Sequence, residues 1–159
     1  MNDLKLIILC GGNSTEREVS ISTGKAIYEC LSHLCNVELI YYEKVIESII
    51  PKFKSADLIF NALHGGDGEN GNIQSIFENY GIKYTGSNSE SSKLAIDKNA
   101  TKLIARKQSI PTPNWMMYDC EIEFNEHLAE ILELGFPLVV KPTDEGSTLG
   151  LTIVQKENE

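Results

Sequence analysis

A lysine, hydroxyl side chains and two glycines lie close together near residue 145 of this chain. Lys141 ends a short apolar run, 138–140, and a polar segment, 143–150, separates it from a second apolar run. That segment contains two glycines, Gly146 and Gly150, and hydroxyl side chains such as that of Ser147. Backbone N–H groups, hydroxyls and a lysine are groups that hold phosphate oxygens. The pattern predicts a hairpin with a phosphate-binding tip, and a plain surface hairpin is the alternative, since Gly-Ser-Thr turns are common.

Two further polar side chains follow apolar runs that predict buried strands. Glu16 comes shortly after a Gly11-Gly12 turn, and His64 opens a loop with four glycines in eight residues. Open α/β sheets bind ligands at the carboxyl ends of their strands, so both side chains are candidates for one site. Compensation of a helix dipole is the alternative role for Glu16. For His64 the alternative is a helix cap or a hydrogen bond in the core.

Composition narrows the class of partner. The chain has 159 residues, is 42% hydrophobic and carries a net charge of −9, which argues against nucleic acid and anionic membranes as partners. No apolar run is long enough to span a bilayer. The apolar residues 4–10 lead directly into a Gly-Gly turn, a pattern that differs from a signal peptide. The four cysteines form no CxxC pair and are expected to be buried thiols. A cytoplasmic location without a disulfide or metal site is therefore expected.

The order of the apolar patterns predicts the fold class. Strands are expected over 4–10, 37–42, 56–63 and 82–87, with helices over 16–31, 44–53, 72–80 and 89–108 between and after them. A strand over 115–118, a helix over 125–134 and the hairpin 138–154 should follow. We expect a doubly wound, Rossmann-like parallel-sheet domain over residues 1–96. An incomplete α+β domain is expected over residues 97–159.

Four motifs resemble those of the D-alanine–D-alanine ligase family, which is part of the ATP-grasp superfamily. They occur in family order between Leu6 and Val154: GGxSxEREVS, ALHGxxGExG, GIxYTGSxxxxSxLxxDKxxxK and KPxxEGSxxG. The resemblance implies ATP-dependent joining of two D-alanine molecules for peptidoglycan precursors. It also implies a homodimer formed through the first domain.

The resemblance assigns roles to particular residues. Glu16 would hold the ammonium of the first D-alanine, with His64 and Ser147 close to that substrate. Lys98 and Lys141 would contact ATP phosphates, and the backbone from Gly146 to Gly150 would cover the triphosphate. The position of Lys98 on a helix would by itself suggest only a solvated lysine, and Asp97 is expected to cap the second half of that helix.

The chain stops at Glu159, before the parts of a ligase that supply the adenine pocket and the Mg²⁺ ligands. We therefore expect either a fragment or a short relative that has lost catalysis, with no phosphate release alone and an ATP dissociation constant above about 1 mM. The segment 143–150 should be mobile. Two alternatives remain open: a non-catalytic dimerisation or ligand-binding module, and a related ligase that uses D-lactate or D-serine as second substrate.

Overall fold

The computed structural model describes residues 3–43 and 47–158, which divide into two compact units, Met1–Ile96 and Asp97–Glu159. In the first unit, the elements are β1 (Lys5–Gly11), α1 (Arg17–Leu31), β2 (Asn36–Tyr42), a 3₁₀ turn (Glu47–Ile49), α2 (Ile50–Lys54), β3 (Leu58–Asn61), a second 3₁₀ turn (Gly66–Gly68), α3 (Asn72–Asn79) and α4 (Ser89–Ile96). In the second unit they are α5 (Lys98–Lys107), α6 (Phe124–Leu134), β4 (Leu138–Val140) and β5 (Thr152–Val154).

The first unit is built on a parallel sheet with β1 in its centre. The strand order is β2-β1-β3, and Leu6 lies opposite Val37 on one side and Leu58 on the other. A strand with neighbours on both edges and helices on both faces must be apolar along its whole length. The continuous apolar run at residues 6–10 meets that requirement, and the predicted α/β fold with a parallel sheet is confirmed.

Side chains of β1 alternate between two separate cores. Ile7 and Leu9 pack with Phe53 of α2 and Phe77 of α3 on one face. On the other face, Ile8 and the two β1 residues that point the same way pack against partly buried residues of α1. Helices therefore cover both faces of the sheet, which is the doubly wound arrangement.

The predicted fourth strand, 82–87, is reduced to one parallel bridge between Ile59 and Tyr84. Ile59 donates to the Lys83 carbonyl at 2.8 Å and accepts from the Thr85 amide at 3.0 Å. The next ladder position is taken by a side chain, because the Asn61 amide donates to Thr85 Oγ1 instead of to a backbone carbonyl. The predicted short strand and turn therefore join the parallel sheet, but through a single bridge instead of a ladder.

The helix predicted over 44–53 can be compared with the structure only from residue 47 onward. Lys44 and Val45 lie outside the described residues, and the helical part consists of the turn at 47–49 followed by α2. Pro51 occupies the first turn of α2, where its missing N–H costs no intrahelical hydrogen bond.

In the second unit, the segment 115–118 is not a strand. The indole of Trp115 packs against the side chains of Lys102 and Arg106, 4.9 and 4.3 Å from the ring centre, and donates to Asn99 Oδ1 at 2.9 Å. These contacts hold the segment on α5, and the preceding Pro111 and Pro113 cannot donate to a ladder. The hairpin is confirmed: β4 and β5 pair antiparallel, with Val139 opposite Ile153.

The long helical region 89–108 is divided at Asp97. Its side chain accepts from the Ala100 amide at 2.9 Å and starts α5, as the sequence predicts. The cysteines are free, but Cys30 and Cys120 are exposed, so the expectation of buried thiols was wrong for both. Burial raises the pKa of the Cys10 thiol, although the charges of Arg17 and Lys25 oppose the rise.

Contact between α1 and β1 leaves no space for a side chain at Gly24. A Cβ atom there would lie 2.6 Å from Cβ of Cys10 and 2.9 Å from its Sγ. Gly24→Ala should therefore lower the free energy of unfolding by about 1–3 kcal/mol through overpacking. Urea denaturation measures the change. Ser22→Ala, at an exposed position of the same helix, should change the free energy of unfolding by less than about 0.5 kcal/mol. An equal loss of stability in both variants would contradict the packing of Gly24 against Cys10.

Candidate functional site

The loops after β1 and β3 meet at the carboxyl edge of the parallel sheet. Ser14 joins them: its Oγ donates to the His64 carbonyl at 2.5 Å and accepts from the Glu16 amide at 3.2 Å. Glu16 is only 8% exposed. A Cβ atom on Gly65 would lie 2.8 Å from Glu16 Oε2. The carboxylate of Glu16 therefore lies directly against the turn that follows His64, and the two predicted residues are brought together.

Ser20, which was not among the predicted site residues, is a buried link between the ends of the same two strands. Its hydroxyl accepts from the Gly11 amide at 2.8 Å and donates to the Ala62 carbonyl at 2.7 Å, with no solvent exposure. It therefore fixes the spacing of the strand ends that carry the two loops. A serine on the inner, otherwise apolar face of a helix was the available signal.

Removal of the Ser20 hydroxyl should destabilise the protein. Ser20→Ala leaves a buried amide and a buried carbonyl without this partner, which should cost about 1–3 kcal/mol of unfolding free energy. Chemical denaturation of Ser20→Ala beside Ser22→Ala measures the difference. Equal stability of the two variants would show that the strand ends do not depend on this hydroxyl.

The His64 ring lies over α1 at the edge of a narrow cleft. Its Nε2 is 3.1 Å from Thr23 Oγ1, and His64 lines the cleft together with Gly12 and Asp67. Asp67 accepts from the Tyr42 hydroxyl at 3.2 Å. The imidazole thus has a defined orientation, and helix α1 sets it.

The tip of the β4–β5 hairpin has an unusual backbone. Ser147 and Thr148 both have positive φ, 47° and 60°, a conformation that non-glycine residues rarely adopt. Gly150 also has positive φ, 67°, and a Cβ atom there would lie 2.8 Å from the Pro142 ring. Backbone strain of this kind is often found in functional loops. Successive residues with positive φ can expose neighbouring backbone N–H groups to a bound anion, here close to the Ser147 hydroxyl.

Lys98 is bonded to this loop from the first turn of α5. Its Nζ donates to the Thr143 carbonyl at 3.2 Å and to the Glu145 carbonyl at 2.5 Å. Its amide also donates to the Thr143 carbonyl, at 3.0 Å. The Lys98 ammonium therefore lies beside the start of the Gly146–Gly150 segment.

Three cations of the second unit interact through their charges. Partial burial lowers the pKa of Lys102, and the charges of Lys141 and Arg106 lower it further. The Lys102 ammonium donates to the Pro113 carbonyl at 2.8 Å, which holds it in place. A bound anion would relieve the repulsion among these cations. The lysines and loop backbone of this unit are thus of the type that holds polyphosphate.

Two parts of the sequence match models of known protein families. Residues 42–87 match the model described as D-ala D-ala ligase N-terminus, and residues 103–159 match the model described as D-ala D-ala ligase C-terminus.

The chain belongs to the D-alanine–D-alanine ligase family.

Individual relatives agree with this assignment. The D-alanine–D-alanine ligase of Pelotomaculum thermopropionicum is 42% identical over 98% of this chain. A crystal structure of D-alanine–D-alanine ligase from Bacillus anthracis matches 98% of the chain with a TM-score of 0.87 at 37% identity, and its complex with ATP matches 99% with a TM-score of 0.85 at 36% identity. The chain spans about half of each relative: 51% of the Pelotomaculum ligase and 50% of each Bacillus chain.

Within this ligase-family chain, the predicted residues fall into two groups. Glu16 and His64 lie together in the first unit, and Lys98 lies with the Gly146–Gly150 loop in the second. The described part of the chain contains no group of three or more side chains suited to hold a metal ion. None of its helices combines the length and hydropathy needed to cross a membrane.

Proposed function

We propose that this chain supplies the first-substrate site and part of the ATP site of a D-alanine–D-alanine ligase. The observation that carries the proposal is the position of the Glu16 carboxylate, which is nearly buried against the Gly65 turn beside His64. A poorly solvated carboxylate at the carboxyl edge of a parallel sheet attracts a compact cation strongly. The ammonium of D-alanine is such a cation.

In this proposal, Glu16 binds the ammonium of the first D-alanine and orients its carboxylate. His64, positioned by Thr23, lies beside that substrate. The family resemblance also assigns Ser147, in the β4–β5 loop, to substrate binding. A carboxylate is a poor electrophile, so the reaction requires activation by phosphoryl transfer, and the protein contributes mainly by positioning the reactants.

The second unit would hold ATP. Lys98 and Lys141 would bind phosphate oxygens, and backbone amides between Gly146 and Gly150 would cover them. Mg²⁺ would supply charge neutralisation when bound. We also propose a homodimer formed through the first unit, and a cytoplasmic location, where ATP is available.

Binding of D-alanine to the 159-residue chain tests the substrate site directly. In a ¹H–¹⁵N NMR titration, D-alanine should shift the amide signals of Ser14, Glu16 and Gly65. D-Lactate, which has a hydroxyl in place of the ammonium, should leave these signals unchanged at the same concentration. Equal shifts with both compounds, or no shift with D-alanine, would contradict the role of Glu16.

A further inference from the structure

The first turn of α5 is bonded to the start of the loop 143–150, which joins β4 to β5. Lys98 is the first residue of α5. Its backbone amide and its ammonium both donate to the Thr143 carbonyl, at 3.0 and 3.2 Å, and the ammonium also donates to the Glu145 carbonyl at 2.5 Å. One residue therefore contacts the loop at two points, both of them before the tip at 146–150.

The Lys98 ammonium has one more donor than these contacts need. An ammonium carries three N–H groups and no acceptor. Among the described contacts, two loop carbonyls accept from Lys98 Nζ, so one N–H is left for a ligand. A phosphate oxygen is charged and accepts a stronger hydrogen bond than a neutral group does. The third N–H can therefore bind phosphate while both loop carbonyls keep their bonds.

The tip of the loop needs support from outside the hairpin. Two successive non-glycine residues there, Ser147 and Thr148, have positive φ, a conformation that costs energy and that other contacts must offset. Within the tip, the Leu149 amide donates to the Gly146 carbonyl at 3.0 Å, which is a short-range bond. The bonds from Lys98 add support from a different element, immediately before the tip.

The contact nearest the tip is made by the side chain of Lys98, not by its backbone. The amide at position 98 can hold the Thr143 carbonyl whichever non-proline residue occupies that position. The bond to the Glu145 carbonyl requires the ammonium. Loss of the ammonium would therefore leave the start of the loop attached to α5 and would free the residues that follow 145. Those residues carry the backbone N–H groups of the proposed ATP site.

We propose that Lys98 couples phosphate binding to ordering of the loop tip. Its third N–H binds a phosphate oxygen while the other two hold the Thr143 and Glu145 carbonyls, so the tip is ordered beside the bound phosphate. This inference rests on the proposed ATP site, and it makes Lys98 a positioning residue for the loop as well as a phosphate ligand. Because coupling is reciprocal, an ordered tip in turn strengthens phosphate binding.

Hydrogen exchange in the ¹⁵N-labelled 159-residue chain, measured by NMR with and without tripolyphosphate, tests the coupling. The reporters are the Leu149 and Leu151 amides, which donate to carbonyls inside the loop. Saturating tripolyphosphate should slow their exchange by at least about fivefold, the lower end of typical coupling between sites. Faster exchange would show that phosphate displaces the loop carbonyls from Lys98, and it would overturn the proposal.

The ³¹P signals of tripolyphosphate separate this proposal from the proposed ATP site. Altered ³¹P signals with unchanged exchange at Leu149 and Leu151 would refute the coupling alone. Unaltered ³¹P signals would refute both the ATP site and the coupling. Exchange in β1 should stay the same throughout, because that strand lies in the other unit.

Two lysine variants separate positioning from phosphate binding. Lys98→Met and Lys141→Met each remove one ammonium, but only the first removes the bond to the Glu145 carbonyl. At saturating tripolyphosphate, exchange at Leu149 should slow in Lys141→Met and should not slow in Lys98→Met. If Lys98→Met binds no tripolyphosphate, the chain without ligand decides: exchange at Leu149 must be faster than in Lys141→Met. Equal slowing, or equal rates without ligand, would overturn the positioning role.

Discussion

Replacing Glu16 with glutamine is expected to lower D-alanine-dependent turnover about 100-fold, or ~2.7 kcal/mol, in a complete ligase that contains this chain. The assay enzyme is a hybrid in which residues 1–159 replace the matching half of the Bacillus anthracis ligase, whose structure the chain matches with a TM-score of 0.87. The physical reason is the burial of the Glu16 carboxylate. A neutral amide of the same shape cannot offset the loss of hydration of an ammonium ion.

The matched control for this substitution is Glu18→Gln. Glu18 lies in the first turn of α1, and its carboxylate is exposed and bonded to Arg17 at 3.1 Å. The control variant should keep wild-type kcat/KM for D-alanine within about twofold, because exposed ion pairs contribute little. If Glu16→Gln retained full activity, the substrate role of the buried carboxylate would be wrong.

Replacement of Lys98 with methionine is expected to lower kcat/KM for ATP by about 100-fold in the same hybrid, comparable to the loss of one preorganised transition-state donor. A second effect should accompany it, because Lys98 also bonds the Thr143 and Glu145 carbonyls. Without the ammonium, amides between 145 and 150 should exchange hydrogen faster, even in the absence of nucleotide.

Two comparisons separate these effects. Lys141→Met should reduce kcat/KM for ATP similarly while leaving hydrogen exchange in the loop unchanged, since no Lys141 side-chain bond to the loop is found among the described contacts. Lys107→Met, at the exposed end of α5, should change neither quantity. Unaltered exchange in Lys98→Met would show that the loop orders without this lysine.

The sequence was sufficient to predict the elements whose pattern is dictated by burial. β1 is apolar throughout because helices cover both faces of its sheet, so its position could be predicted from the run at 6–10 alone. The Asp97 cap and the hairpin were likewise predictable, because capping and turn chemistry are local. Glu16 and His64 could be placed at one edge because parallel strands align their carboxyl ends.

The parts that could not be predicted depend on contacts between distant residues. Trp115 is a residue type that favours strands, yet its ring packs against Lys102 and Arg106 of α5, and no local pattern reveals this contact. The fourth strand ends after one bridge, where the hydroxyl of Thr85 takes the place of a backbone acceptor. The link through Ser20 and the bonds from Lys98 to the loop 143–150 arise only once the loops are assembled.

D-Alanine-dependent phosphate release by the unsubstituted hybrid, measured with ATP and Mg²⁺ alongside the dipeptide formed, tests the central claim most directly. If this chain supplies the first-substrate site and part of the ATP site of a D-alanine–D-alanine ligase, one phosphate should appear for each D-alanyl-D-alanine formed, and none with L-alanine. A folded hybrid that binds ATP but forms no dipeptide would contradict the claim and would favour a non-catalytic ligand-binding module.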